Sequence, residues 1–129
     1  MEEQVTKLGV FLFAFASLLA SEFAFSSGIS INNELNSCVS INIIKRTEIN
    51  NIAIASAQAS LKKPIGDCGC FSALATYTSA VFRNGAEQIL QEGLISFIKT
   101  AEKDIVLTSE PSLLENQRII LTISCTNPL

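Results

Sequence analysis

From Cys38 onward apolar and polar side chains alternate with a period of two, the signature of half-buried strands. Val39, Ile41 and Ile43 alternate with Ser40 and Asn42. Asn50-Asn51 marks a turn, and Ile52 to Leu61 follows as a second strand. One face of that strand carries Ile52, Ile54, Ser56 and Gln58; the other carries Ala53, Ala55, Ala57 and Ala59. So thin a face predicts close approach of a neighbouring layer. Lys62 to Asp67 holds Pro64 and Gly66 and reads as a loop. Cys70 to Phe82 is a third strand, rich in Thr, aromatic and β-branched residues. Asn84-Gly85 behind it is the strongest short hairpin signal in the chain.

The next segment carries two patterns. Ala86, Ile89, Leu90, Gly93, Leu94 and Phe97 lie at helical spacing. The Asn-Gly turn before them, Gly93 in their midst and the apolar run from Leu94 to Ile98 favour a strand, broken near Gly93, over a helix. Ile105 to Thr108 is a short strand, and Glu110-Pro111-Ser112 opens a loop. Gln117 to Thr126 is the clearest strand, with Ile119, Leu121, Ile123 and Cys125 on one face. About six to seven short strands at this spacing predict an all-β fold, an antiparallel immunoglobulin-like β-sandwich. The Trp of antibody domains is absent, and the Cys spacing differs from theirs.

The N-terminal segment follows neither pattern. Leu8 to Ala20 is thirteen residues with one Ser and no charge. That suits the apolar core of a secretory signal helix and is too short for a bilayer span, which takes about 20 residues. Ala24-Phe25-Ser26 offers small residues at both positions read by a signal peptidase, so cleavage is expected after Ser26. Glu2 and Glu3 depart from the usual positive start, which leaves a retained anchor as the alternative. The expected division is a signal peptide over 1–26, a flexible leader over 27–37 and a disulfide-linked sandwich over 38–129.

Composition sharpens this division. Of the 129 residues 48% are hydrophobic, but the first 26 hold five of the eight Phe. The net charge is −3 for the whole chain. From Ser27 onward 8 basic residues face 9 acidic ones, so the domain is nearly neutral. A disordered chain, a basic nucleic-acid binder and a multi-domain enzyme are all excluded. Lys45-Arg46 and Lys62-Lys63 are isolated basic pairs.

Cys38, Cys68, Cys70 and Cys125 carry the most chemistry. In an exported chain an even Cys count reads as a disulfide framework. If six strands alternate in direction, the start of the first, the start of the third and the end of the sixth share one pole. All four thiols then gather there. A helix in place of the fourth strand would send Cys125 to the other end. The favoured pairing joins Cys38 and Cys125 each to one member of Cys68-Gly69-Cys70. The rival joins Cys68 to Cys70 and Cys38 to Cys125, with a strained Cys-Gly-Cys bridge suited to thiol–disulfide exchange. A third possibility is a four-thiolate site for zinc or copper, which an oxidising compartment opposes.

The chain has no His, which excludes Ser-His-Asp and Cys-His catalysis and His-ligated metal. Glu102 and Asp104 flank Lys103 at an expected solvated turn. Glu87, Gln88, Gln91 and Glu92 read as an exposed face, and Tyr77 as a packed ring with its hydroxyl at the rim. No catalytic residue, cofactor or metal ligand is expected. The remaining function is binding or structure, through a loop or an edge strand such as Cys70 to Phe82 or the final strand.

The order Cys38, then Asp-Cys-Gly-Cys-Phe-Ser-Ala-Leu at 67–74 with Tyr77 following, then Ile-Ser-Cys at 123–125 resembles a family of small exported bacterial proteins of unknown function. The resemblance spans residues 35–126. It implies export and a small cysteine-linked domain, and no activity. The expectation is a periplasmic or secreted, non-enzymatic module. Its partner would be a protein of the cell envelope, with no nucleic acid, and it would touch membrane only through its signal segment.

Overall fold

A computed structural model describes residues 28–127. The expected signal peptide, with its cleavage point, lies outside the described residues. Seven strands follow in order: β1 (Ile29–Asn33), β2 (Val39–Ile49), β3 (Ile52–Leu61), β4 (Leu74–Arg83), β5 (Ala86–Ser96), β6 (Ala101–Thr108) and β7 (Ile119–Cys125). They form two sheets, one of order β1-β7-β4-β5 and one of order β2-β3-β6. The all-β sandwich is thus as expected. Its strand order is its own: constant-type immunoglobulin domains place the first, second, fifth and fourth strands together.

Both turns expected from the sequence close hairpins. Asn50 and Asn51 have φ of 50° and 63°, and Asn84 and Gly85 have 53° and 77°. Two consecutive left-handed residues make the type I′ geometry, which matches the twist of the flanking strands. The remaining connections cross between the sheets.

The core lies between them. Ala53, Ala55, Ala57 and Ala59 of β3 are at most 2% exposed, so the thin face does pack against a close neighbouring layer. Ile119, Leu121 and Ile123 of β7, Ile105 and Leu107 of β6, and Tyr77 and Val81 of β4 belong to the same cluster. Large residues opposite small ones let the two layers interdigitate.

The 86–99 segment is β5, paired antiparallel with β4 from Arg83↔Ala86 to Leu74↔Ser96. It runs through Gly93 unbroken. The irregularity comes earlier: Ser79 pairs with Gln91 and Ala80 with Ile89, so Leu90 is an extra residue in the ladder. This bulge shifts the strand's phase by one, and two period-two patterns out of step imitate helical spacing.

The expected leader is corrected. Residues 29–33 form β1, which pairs in parallel with β7 from Ile29↔Ile119 to Asn33↔Ile123. Its partner lies at the far end of the chain, so no local signal marked it. The sandwich therefore begins ahead of Cys38.

Candidate binding face at the cysteine pole

The antiparallel pairings oppose β3 to β2 and β6 in one sheet and β4 to β5 and β7 in the other, and the Cys38–Cys68 bridge sets the start of β2 beside the start of β4. The start of β2, the start of β4 and the end of β7 therefore meet at one pole. There the disulfides are Cys38–Cys68 and Cys70–Cys125. One joins Cys38, just ahead of β2, and the other Cys125, at the end of β7, to one member each of the Cys-Gly-Cys element. Pro64 opens a 3-10 turn over Ile65–Cys68, and Gly69 ends it in the left-handed conformation at φ 94°. The turn sends the two flanking cysteines to different partners. A side chain at 69 would be strained there, which is the use of the glycine. Among the described residues no cysteine is free. Two disulfides in so small a chain mark an oxidising, non-cytoplasmic setting.

Beside this pole, on the outer face of the four-stranded sheet, lies an open cavity of about 690 Å³. Cross-strand register builds its floor. Thr76 of β4 pairs with Leu94 of β5 on one side and Ser124 of β7 on the other, giving a row across three strands. Thr126 continues the row, its hydroxyl 3.2 Å from that of Thr76. Glu92 of β5 and Glu34, whose backbone N–H donates to the Ile123 carbonyl, complete the lining. Cys68 and Cys125 reach the same cavity. The lining holds two carboxylates, three hydroxyls and the Asn127 amide, and no Lys or Arg.

The outer face of the three-stranded sheet carries a smaller groove of about 220 Å³. Glu102 and Asp104 line it, so they stand on β6 and not at a turn. Ser56 donates to the Asp104 carboxylate at 2.9 Å, and Lys45 lines the same groove. Its acidic charge is thus partly offset within the groove itself.

The suggested edge strands are also corrected. β4 lies between β7 and β5, and β7 between β1 and β4, so neither is an edge. The true edges are blunted. β2 has a register shift at Ile44, β5 at Leu90 and β6 at Leu107, and β1 is only five residues long. Bulges and short strands keep a sheet from adding further strands.

Tyr77 is 7% exposed and points into the core. Burial pushes its phenol above the ordinary value, against a smaller opposing effect of the Val106 backbone hydrogen bond. The ring is packed in the core, as the sequence reading expected. None of Glu34, Thr76, Ser124 and Thr126 was marked by sequence pattern. Only the threonine richness of β4 hinted at them.

The family described as "Uncharacterized protein conserved in bacteria (DUF2195)" matches residues 12–128. The chain belongs to that bacterial family, whose function is unknown. No curated protein and no solved structure matches it.

Proposed function

We propose that this member of the family is an exported binding module of the cell envelope, periplasmic or secreted, and not an enzyme. It holds a basic segment of a partner protein on the outer face of its four-stranded sheet. The observation that carries this reading is the cavity's lining: Glu34 and Glu92, a row of hydroxyls, and no cation. An open surface with unopposed carboxylates attracts Lys or Arg, and the hydroxyls and amide supply hydrogen bonds to a backbone. The disulfides support it by fixing the pole from which the cavity opens, which lowers the ordering cost of binding. The non-enzymatic reading rests on the lack of any His and on cysteines held in bridges. Thiol–disulfide exchange and thiolate-metal binding lose their basis in a Cys68–Cys70 bridge or free thiolates, because each of these cysteines pairs with a distant strand.

Calorimetric titration with a tri-lysine peptide, against a tri-glutamate peptide, tests the proposal. Tri-lysine should bind, and Glu34→Gln with Glu92→Gln should weaken it about tenfold at low salt, since exposed charge pairs contribute modestly and are screened. Equal heats for both peptides, or unchanged affinity in the double variant, would overturn it.

A further inference from the structure

The most exposed large apolar side chains of the described residues are Phe71 at 79% and Ile98 at 73%. Both stand at the cysteine pole, on the two neighbouring loops 62–73 and 97–100. Their neighbours are buried: Cys70 is 8% exposed and Phe97 2%. The loops are tied to one another and to the sheets. Cys68 and Cys70 are both bridged. The Phe97 N–H donates to the Ala73 carbonyl at 2.8 Å, and the Leu61 N–H to the Thr100 hydroxyl at 2.9 Å. Two apolar tips are thus held outward by an ordered scaffold. An apolar cleft of about 300 Å³, floored by Leu61, Ile65 and Phe97, lies between them.

The charge around these tips is basic. The two loops carry Lys62, Lys63 and Lys99 against the single carboxylate Asp67, and all four side chains are exposed. Lys63 precedes the cleft residue Pro64, and Lys99 follows Ile98. This inverts the acidic cavity on the sheet face, with which the cleft shares no lining residue.

We propose that this pole docks on an anionic phospholipid surface, with Phe71 and Ile98 entering the interfacial region and Lys63 and Lys99 meeting the headgroups. Protruding tips on separate loops need no shape-matched partner, and a bilayer interface accepts them one by one. Apolar anchors with a lysine rim are the chemistry that binds at such an interface. Membrane contact is then a property of the folded domain and not of the signal segment alone. Ile29, at the start of β1, stands at the opposite pole.

The chain contains no Trp, so Phe71→Trp supplies a single reporter at the tip itself. The protein is purified after export and mixed with vesicles of phosphatidylethanolamine and phosphatidylglycerol, or of phosphatidylcholine alone. Emission of the introduced indole should shift to shorter wavelength, and brominated acyl chains should quench it, with the anionic vesicles only. Reading the tip keeps the result independent of any N-terminal anchor. Ile98→Asp should weaken vesicle binding about tenfold. Lys63→Gln and Lys99→Gln should each weaken it about fivefold. All these positions are exposed, and far-UV circular dichroism checks folding. Ile98→Trp repeats the measurement from the second loop. Emission unmoved by anionic vesicles at both positions overturns the proposal. So does a concentration-dependent dimer that Phe71→Asp abolishes, because the tips then serve a second copy of the chain.

Discussion

Gly93 sits mid-strand in β5, directly across from Tyr77 of β4. A Cβ at 93 would lie 2.7 Å from Tyr77 Cε1 and 3.1 Å from both Cζ and the hydroxyl oxygen. The ring is 7% exposed and belongs to the packed core cluster, so it has little room to retreat. Gly93→Ala therefore forces an overlap in a packed core, an effect that costs about 1–3 kcal/mol. Replacing glycine within a strand returns about 0.5–1 kcal/mol of backbone entropy. The net expectation is a loss of about 1–2 kcal/mol. For a domain of this size each kcal/mol lowers Tm by about 4–8 °C. Thermal melts followed by circular dichroism measure it. A Tyr77→Leu background separates the overlap from the backbone term. There Gly93→Ala should be neutral or stabilising, giving a coupling of about 1–3 kcal/mol between the two sites. If Gly93→Ala costs the same with and without the ring, or costs nothing in the native protein, the ring does not lie over Gly93.

Three further predictions rest on the core and the bridges. The Cys38–Cys68 and Cys70–Cys125 bridges close separations of 30 and 55 residues, so removal as paired serines should cost about 3.6 and 4.2 kcal/mol in the chain-entropy treatment, measured by urea unfolding. Loss of both should leave the domain largely unfolded, since whole-domain stabilities run about 5–15 kcal/mol. Ser79 is fully buried and its hydroxyl has no hydrogen-bond partner, so Ser79→Ala should be neutral or raise stability by up to about 1 kcal/mol in the same assay. Tyr77 has a folded pKa raised above its ordinary 10.0 by burial. Its neutral form is favoured in the folded state, so its contribution is full below pH 10 and is lost as pH rises through the folded value. Tyrosinate absorbance of this sole Tyr should titrate late, and Tyr77→Phe should flatten the alkaline fall in stability relative to the native protein.

Much of the sandwich was legible because period-two alternation is a local property. β3 and β7 show it cleanly, and the Asn-Asn and Asn-Gly turns fix where the hairpins close. Alternation of strand direction then placed the four cysteines at one pole, from parity alone. The misses share a different cause. β1 owes its existence to a parallel ladder with β7, and Ile29 to Asn33 is too short and polar to declare itself. The bulges at Ile44 and Leu90 reverse the facing of the residues beyond them, which hid the second half of β2 and made β5 resemble a helix. The cavity was invisible for the same reason of register. Ser124, Thr76 and Leu94 meet only because β4 lies between β7 and β5. Alternation tells that a threonine faces outward and says nothing of which strands flank it.

The central claim is that a basic ligand binds in the acidic cavity at the cysteine pole. Amide chemical-shift mapping on the ¹⁵N-labelled protein, titrated with tri-lysine, tests this most directly, because the groove lined by Glu102 and Asp104 serves as a competing acidic site in the same molecule. Saturable shifts are predicted at Thr76, Glu92, Leu94, Ser124 and Thr126, with the three-stranded sheet unmoved. Shifts centred on Ser56, Glu102 and Asp104, or spread evenly over the exposed carboxylates, would contradict it.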